Sequence, residues 1–387
     1  MVANRPPMGW NTWNTFGWEI NEELIKQSAD ALVESGLAEC GYNYIVIDDC
    51  WALRERDENG RIVPDPEKFP NGMKAVADYV HSKGLKFGMY SCAGKLTCAG
   101  FPGSYEHEWI DAKTFAEWEI DFLKYDYCFR PSTVPPEILY RRMALALRNS
   151  GRDILFSACS WGADNTKEWI ARTGANMWRT TGDIFDNWES LKNLSLDAPK
   201  SLGFGGINCF GDMDMLIVGM HGKGNVGMSG LTDDEYRMHF ALWALFSSPL
   251  MIGCDIRDMD EQTSAILKNR DIIEINQDEA GCVPFSLLQY TTESTKPIDL
   301  DRMVYAKVLE NGDVAIGIFN FSEEEINDWS AERIELDAIG LPESLGKTLI
   351  MKELFTGKEI KVINGIYRDN IKPHTCRLYR CKVVDAK

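Results

Sequence analysis

The first 275 or so residues alternate between short apolar segments and segments with helical periodicity. Apolar segments lie at residues 7–13, 42–51, 85–92, 122–128, 154–161, 176–183, 203–208 and 249–255. Continuous apolar runs are typical of parallel strands that are buried on both faces. Eight strands that alternate strictly with helices predict an α/β fold, a closed (β/α)8 TIM barrel rather than a doubly wound sheet.

The predicted helices carry recognisable end signals. Asn21 is an N-cap candidate for a helix with an apolar face, and Gly36 is a natural stop. Thr232 and Glu235 form a capping-box signature before the apolar helix at 236–246. Further helices are predicted at 75–81, 112–118, 136–148 and 166–172.

The pattern changes after about residue 285. Val304, Ala306 and Val308 alternate with polar neighbours, and an Asn-Gly pair at 311–312 is a strong hairpin signal, repeated at 364–365. We therefore predict two domains: a catalytic barrel at 1–284 and a small C-terminal antiparallel β-sandwich at 285–387.

Composition and charge narrow the classes of partner. The 387 residues carry a formal net charge of −18, which repels phosphate backbones and anionic membranes, so we expect no nucleic-acid and no membrane partner. No apolar run reaches the length of a membrane span. The N-terminus shows no secretory signal, which predicts a cytoplasmic location.

The 11 cysteines are odd in number and scattered through apolar segments, as expected of mostly reduced, buried thiols. The sequence has no Cys-x-x-Cys and no His-x-x-x-His pair, so neither a structural zinc site nor another metal is predicted.

Polar and aromatic residues gather where the predicted strands end, and the carboxyl ends of barrel strands carry the chemistry of this fold. No histidine is among them, which argues against a Ser-His or Cys-His mechanism. The candidates are Trp13, Asp48, Asp49, Tyr90, Lys124, Asp126, Cys159, Trp161, Arg179, Asp183, Asp214 and Met215.

Carboxylates interleaved with aromatic rings suit sugar chemistry, and glycosidic cleavage needs two carboxyl groups in different protonation states. We expect the cation of Lys124 to lower the pKa of Asp126. We expect Asp183, on a different strand, to be held closer to neutrality.

Six segments together carry a specific resemblance, although each is weak alone: Met8-Gly9-Trp10-Asn11-Thr12-Trp13, Ile47-Asp48-Asp49-Cys50-Trp51, Lys124-Tyr125-Asp126, Trp178-Arg179 with Asp183, Asp214-Met215-Leu216, and Ser248-Pro249-Leu250. Over nearly its full length the chain resembles the α-galactosidases of glycoside hydrolase family 27. The resemblance implies a retaining, exo-acting enzyme with a (β/α)8 barrel and a C-terminal β-domain, no cofactor, and a small-molecule or oligosaccharide α-galactoside as substrate.

The resemblance also implies roles for single residues. Asp126 would be the nucleophile, Asp183 the acid/base, and Trp13 a platform for the sugar. Asp48 and Asp49 would hold the 4- and 6-hydroxyls and Lys124 those near C3 and C4, while the rest of the pocket would come from Tyr90, Cys98, Arg179, Asp214 and Met215. In the family, the cysteines matching Cys98 and Cys128 form a disulfide, which a cytoplasmic location would disfavour.

The segment that would face the C2 substituent leaves the branch of the family open. Cys159, Ser160 and Trp161 resemble the plant-type α-galactosidase pattern, although many of those enzymes have Glu at the position of Ser160. A Ser and an Ala, here Ser160 and Ala163, are also what α-N-acetylgalactosaminidases use to accommodate an acetamido group. The intact Asp48-Asp49 pair argues against the β-L-arabinopyranosidase branch.

Two other classes remain as alternatives. Asp48-Asp49 after a strand could hold Mg²⁺ in a phosphatase or enolase-like barrel, although no glycine-rich phosphate loop is present. A sugar-binding protein without catalysis is the second, and the presence of both Asp126 and Asp183 argues against it. We expect the glycine-containing segments 96–103 and 221–230 to frame the pocket entrance, and a homo-oligomer is compatible with the sequence.

Overall fold

The computed structural model describes residues 2–287, 301–326, 332–363 and 366–386. The chain forms two compact units, one made of Met1–Gly230 with Ser248–Lys268 and the other of Leu231–Ser247 with Asn269–Lys387. The domain boundary after residue 284 stays a prediction.

The first unit contains one curled sheet of eight parallel strands in the order β7-β6-β5-β4-β3-β2-β1-β8. The strands are β1 (Met8–Asn11), β2 (Tyr44–Val46), β3 (Lys86–Cys92), β4 (Phe122–Asp126), β5 (Leu155–Ala158), β6 (Met177–Arg179), β7 (Phe210–Asp212) and β8 (Leu250–Ile252). Leu216, beyond β7, makes a parallel bridge to Ile252 of β8, and its N–H donates to the Met251 carbonyl at 2.7 Å. The ring is thereby closed, and the predicted TIM barrel is confirmed.

Helices alternate with these strands. They are α1 (Trp13–Phe16), α2 (Glu22–Glu34), α3 (Gly72–Ser82), α4 (Glu108–Glu117), α5 (Pro136–Arg148), α6 (Thr166–Trp169), α7 (Trp188–Asp197), α8 (Asp233–Leu245), α9 (Glu261–Leu267) and α10 (Arg270–Asn276). The caps predicted from sequence are present: the Asn21 side chain accepts from Leu24 N–H, and Thr232 and Glu235 form a reciprocal capping box. Such caps satisfy N–H groups that the first helical turn leaves without partners.

Two predicted elements were wrong in place or extent. The strand expected at 203–208 lies instead at β7, because Gly203 and Gly206 adopt positive φ angles (82° and 155°) that turn the chain before the strand begins. The first strand ends at Asn11, and Trp13 already begins α1. Helix α7 was not predicted.

The second unit is built on antiparallel strands. A six-stranded sheet has the order β14-β13-β16-β11-β10-β9, and β12 pairs with β15. The strands are β9 (Phe285–Ser286), β10 (Arg302–Val308), β11 (Val314–Asn320), β12 (Glu332–Glu335), β13 (Lys347–Glu353), β14 (Glu359–Lys361), β15 (Ile366–Asp369) and β16 (Thr375–Asp385).

Buried side chains from both sheets of this unit form one core, among them Ile316 and Leu349 of the large sheet and Ile334 and Tyr367 of the small one. The β-sandwich prediction is therefore confirmed. The hairpin between β10 and β11 has Gly312 at φ 83°, as its Asn-Gly signal indicated. The second Asn-Gly pair, at 364–365, lies outside the described residues.

Across the residues that the structure describes, every helix is too short or too polar to cross a lipid bilayer.

Candidate active site

A pocket of about 270 Å³ opens where the barrel strands end. Twelve of the residues predicted from sequence line it: Trp13, Asp48, Asp49, Tyr90, Cys98, Lys124, Asp126, Trp161, Arg179, Asp183, Asp214 and Met215. Parallel strands that start at one end of a barrel finish at the other, so side chains distant in sequence meet there.

Asp48 and Lys124 form the polar floor of the pocket. Lys124 Nζ lies 2.7 Å from Asp48 Oδ2, which also accepts from Asn11 Nδ2 at 2.9 Å. The proximity of Asp48 outweighs burial and raises the pKa of Lys124, so the ammonium stays charged. A cation is therefore held at a depth where a sugar hydroxyl can accept a hydrogen bond from it.

Asp126 is the last residue of β4 and is only 6% exposed. Its Oδ1 accepts from the Tyr127 N–H at 2.8 Å and its Oδ2 from the Tyr90 hydroxyl at 2.9 Å. These two donors fix the plane of the carboxyl group, with Tyr90 itself buried in the barrel.

Lys124 does lower the pKa of Asp126, as expected, but it does not decide the net shift. Burial raises the pKa of Asp126 to about 6, although Lys124 and the Tyr127 N–H oppose the rise. Desolvation of the enclosed carboxylate exceeds the attraction of the one nearby cation, and the negative charges of Asp48 and Asp183 add to the rise.

Asp183 lies beyond β6 and has a side chain that is 64% exposed. Arg179 Nη2 donates to its Oδ1 at 2.9 Å, while Nη1 of the same guanidinium lies 2.8 Å from Asp214 Oδ1. Despite partial burial, Arg179 and Lys124 lower the pKa of Asp183. The expectation that Asp183 is the more neutral of the two acids is therefore wrong.

The magnesium alternative for Asp48-Asp49 meets a chemical obstacle. Asp48 accepts from Asp49 N–H on Oδ1 and from Lys124 and Asn11 on Oδ2. Asp49 accepts from the backbone N–H groups of Cys50 and Ala99. Carboxylate oxygens that already face donors, one of them an ammonium, make poor ligands for a hard dication.

Two other groups in the described part of the chain have metal-ligand spacing. In one, on the protein surface, Asp78 and Glu119 are both ion-paired with Lys74 beside His81. The other consists of Cys98, Asp126 and Cys128 at the pocket.

Comparisons with known proteins agree with this geometry. Residues 5–278 match the family model described as alpha galactosidase A, and residues 300–381 match the alpha galactosidase C-terminal beta sandwich domain. The chain belongs to the α-galactosidase family, glycoside hydrolase family 27.

The relatives cover almost the whole chain. An alpha-galactosidase of Cyamopsis tetragonoloba is 42% identical over 98% of this chain and 86% of its own length. The crystal structure of alpha-galactosidase I from Mortierella vinacea superposes with a TM-score of 0.86 at 30% identity, covering 98% of this chain and 97% of that one. The structure of an alpha-galactosidase from Saccharomyces cerevisiae with raffinose superposes with a TM-score of 0.85 at 28% identity, covering 98% of this chain and 98% of that one. The protein is thus an α-galactosidase by family, a hydrolase of O-glycosyl bonds.

Two of the predicted substrate-binding residues of this α-galactosidase do not line the pocket. Cys159 is buried beneath it, where its sulfur accepts from Arg179 Nη1 at 3.6 Å. The buried Ser160 hydroxyl lies 2.7 Å from the hydroxyl of Thr166. Trp161 does reach the pocket, from a left-handed backbone conformation (φ 55°) next to Gly162, where a Cβ would come within 2.5 Å of the Thr180 carbonyl oxygen.

A disulfide joins Cys98 and Cys128 beside the pocket, as the resemblance to family members implied. The nine other cysteines are free thiols, most of them buried, which agrees with the reading of the remaining cysteines as core residues.

Five pocket residues were not singled out from the sequence: Asn14, Ile184, Phe185, Asn225 and Val226. The last two belong to the 221–230 segment, which was expected at the entrance because of its glycine content. Asn14 lies in the one-turn helix α1, and Ile184 and Phe185 follow Asp183; neither stretch is long enough for periodicity to mark a side chain. Among the described residues, Asn14 Nδ2 is a buried donor without a hydrogen-bond partner, which suits a group that faces a ligand.

Proposed function

We propose that this enzyme is a retaining, exo-acting α-galactosidase that releases terminal α-linked D-galactose by double displacement. The observation that supports this most is that Asp126, at the end of β4, and Asp183, in the segment after β6, line one pocket that also holds cationic and aromatic side chains. A retaining mechanism predicts that the two carboxyl groups lie roughly 5–5.5 Å apart.

In the first step an oxygen of Asp126 attacks the anomeric carbon while Asp183 gives its proton to the glycosidic oxygen. The bond to the leaving oxygen breaks, the aglycone departs as an alcohol, and a covalent glycosyl-Asp126 ester remains. In the second step the Asp183 carboxylate removes a proton from water, whose oxygen attacks the same carbon. The bond between the anomeric carbon and the Asp126 oxygen breaks, galactose with retained configuration leaves, and Asp126 is again a carboxylate and Asp183 again protonated.

The proton must move between the two acids for this cycle to run. Asp126 holds a proton more firmly than Asp183 does, yet the first step needs the proton on Asp183. A bound sugar displaces water from the exposed carboxyl of Asp183 and so raises its pKa. The productive complex is therefore one in which the pair shares a single proton.

Specificity for galactose over its N-acetyl analogue is favoured by one contact. The hydroxyl of Ser160 faces Thr166 rather than the pocket, whereas the bulky Trp161 lines it. A pocket that opens through Ser160 for an acetamido group is thus not built here. Asp48 and Asp49 both line the pocket, which supports recognition of a substrate that retains its 6-hydroxyl.

Activity on aryl α-galactosides with different leaving groups tests the two acids separately. Asp126→Asn should abolish turnover of every substrate. Asp183→Ala should slow substrates with poor leaving groups far more than those with good ones, because only poor leaving groups need the proton. Equal losses for both classes of substrate would contradict the role of Asp183.

The branch of the family is tested by comparing p-nitrophenyl α-galactoside with its 2-acetamido analogue on the unmodified enzyme. We expect faster turnover of the galactoside, and the opposite ranking would assign the N-acetylgalactosaminidase branch instead. The product's anomeric configuration, followed by NMR, decides between retention and inversion. The cytoplasmic location and a homo-oligomer stay predictions.

A further inference from the structure

An aromatic side chain lies at the mouth of the pocket, two residues beyond Asp183. Phe185 lines the pocket and is nevertheless 44% exposed. The segment from 182 to 185 forms neither helix nor turn, and along an extended chain residues two positions apart point to the same side. The Phe185 ring and the Asp183 carboxyl therefore face the same part of the pocket mouth.

Hydrogen bonds fix the backbone of Phe185 from both sides. Its N–H donates to the Ser190 hydroxyl at 2.9 Å, and its carbonyl accepts from Asn187 N–H at 2.8 Å. The next N–H along the chain, that of Asp186, donates to the Val226 carbonyl at 3.0 Å. An exposed ring on a fixed backbone loses only the freedom of its own two torsions when a ligand packs against it, which favours binding.

A neighbouring segment continues the apolar surface. Asp186 and Gly227 form a parallel bridge, so the side chains that flank this pair lie on the face opposite to the buried Asp186 carboxylate. Phe185 and Val226 belong to that opposite face, and both line the pocket. Met228, farther along the same segment, is 60% exposed. An apolar surface thus extends from the pocket outward.

The position of Asp183 indicates what this surface meets. In the proposed mechanism Asp183 protonates the glycosidic oxygen, so the leaving group is bonded to an atom beside this carboxyl. Asp126 is buried, whereas the Asp183 side chain is exposed. The leaving group therefore lies on the solvent side of the pocket, which is the side where Phe185 is found.

Polar groups at the same mouth favour a sugar as the leaving group. The exposed Asn225 lines the pocket, and its Nδ2 donates to the Trp13 carbonyl at 3.2 Å. Its side chain packs over Gly17, where an added Cβ would lie 2.8 Å from Asn225 Cγ. An amide and a carboxylate give hydroxyl groups hydrogen-bond partners, while an aromatic ring offers a flat surface to the apolar face of a pyranose. This combination suits a second sugar ring better than an aryl or alkyl group.

We propose that Phe185 is the platform of a leaving-group subsite that binds a second pyranose ring. The preferred substrates are then oligosaccharides in which the terminal galactose is linked to another hexose. The inference rests on the function proposed above and specifies its substrate class. Phe185 stacks on the second ring, which raises kcat/KM for oligosaccharides, and substrates with a small leaving group do not gain from it.

Two substrates with similar leaving atoms isolate the contribution of the second ring. Melibiose carries glucose through a primary hydroxyl, and methyl α-galactoside carries a methyl group, so both release an alkyl alcohol that needs a proton from Asp183. We expect Phe185→Ala to lower kcat/KM roughly tenfold for melibiose and about twofold or less for methyl α-galactoside, since only melibiose loses a ring contact. Steady-state rates of galactose release measure both values.

Further variants separate the flat ring from apolar bulk. Phe185→Tyr keeps a ring and should retain the preference for melibiose, whereas Phe185→Leu keeps apolar bulk alone and should lose most of it. The matched control is Phe204→Ala, which removes a phenylalanine that is 37% exposed and precedes β7, at the end of the strands opposite the pocket. It should leave the ratio of the two kcat/KM values unchanged. The inhibition constant of galactose should stay the same in Phe185→Ala, because galactose alone does not reach the subsite.

Equal losses on melibiose and methyl α-galactoside, or no loss on either, would overturn the inference. So would a galactose inhibition constant that rises as much as kcat/KM for melibiose falls, since Phe185 would then support the galactose pocket itself. A larger loss on p-nitrophenyl α-galactoside than on melibiose would assign the platform to aryl rings and overturn the choice of a sugar. Failure of the proposed function is distinct, because the unmodified enzyme would then release galactose from none of these substrates.

Discussion

At the level of single residues, reactivity depends on how burial and charge divide between Asp126 and Asp183. Asp126 is enclosed and accepts hydrogen bonds from two neutral donors, the Tyr127 N–H at 2.8 Å and the Tyr90 hydroxyl at 2.9 Å. Asp183 is open to water but paired with the guanidinium of Arg179. Asp126 therefore keeps its proton to a higher pH than Asp183 does, although the first step of the reaction needs the proton on Asp183.

This distribution predicts an acidic pH optimum for kcat/KM. The reactive form carries one proton on the pair, and the last proton is lost as pH rises through about 6, the pKa of Asp126. We expect kcat/KM to fall on the alkaline side with an apparent pKa near that value, and on the acid side where Asp183 becomes protonated as well. A pH–rate profile on an aryl α-galactoside measures this, and constant kcat/KM well above pH 7 would contradict it.

The raised pKa of Asp126 also predicts how the free energy of unfolding depends on pH. Its pKa is higher in the folded chain than the ordinary 3.8, so the folded state binds more protons between pH 4 and 6 and loses stability as pH rises through that window. Asp126→Asn should therefore raise the free energy of unfolding at pH 7 by up to roughly 3 kcal/mol. The gain should vanish at about pH 3 and below, where the carboxyl is largely neutral in both states, and urea unfolding at pH 7 and at about pH 3 measures it.

At the level of elements, the 221–230 segment links the loops after β1 and β6. Asn225 N–H donates to the Thr15 carbonyl and Val226 N–H to the Asn14 carbonyl, each at 3.0 Å. On the other side, buried Asp186 accepts from Gly222 N–H through its carboxylate (2.6 Å) and from Gly230 N–H through its carbonyl (2.9 Å). Asp186 is thus a positioning residue for one wall of the pocket.

Removal of this carboxylate should loosen the wall without touching the reacting acids. We expect Asp186→Ala to lower kcat/KM about tenfold, mainly through KM, and to lower the free energy of unfolding by about 1–3 kcal/mol, since a buried N–H loses its acceptor. Asp186→Asn keeps an acceptor oxygen and should recover most of both. Steady-state kinetics and thermal unfolding measure the two effects, with Asp197→Asn as the control, because the Asp197 side chain at the end of α7 is half-exposed.

At the scale of the whole molecule, α8 follows a barrel strand in sequence but belongs to the second unit. It packs against β11, β16 and α10. Its residues 238–245 are buried on every side, as is typical of a helix enclosed by neighbours rather than lying on a surface. A C-β added to Gly317 of β11 would lie 2.7 Å from a Leu245 side-chain atom, so the helix and the strand are in close contact.

This packing predicts the result of a truncation at the expected domain boundary. A chain that ends at residue 284 keeps α8 but lacks β11 and β16, so apolar side chains would be exposed to water. We expect the shortened chain to aggregate, while the full chain elutes as a single species in size-exclusion chromatography. A soluble, active product of residues 1–284 would instead establish the boundary predicted from sequence.

Much of the fold follows from local sequence signals. Apolar runs that end in carboxylates identify β2 and β4 with their site residues, and the capping box at Thr232 fixes the start of α8. These features depend on side-chain period and on turn chemistry within a few residues, which a sequence displays directly. The sequence also predicts that Asp126 and Asp183 line one pocket, because all eight strands of the predicted barrel end at the same face.

Only the tertiary structure decides what depends on surroundings contributed by distant segments. The sequence before β7 does not show which glycines adopt the positive φ angles that turn the chain. Nor does the segment around Ser160 show that its hydroxyl contacts Thr166 rather than the pocket. The protonation order of the two acids reverses because burial by the whole barrel outweighs one neighbouring lysine, and desolvation is a property of the enclosure. Residue identity determines which groups can react, whereas the surrounding protein determines which of them holds the proton.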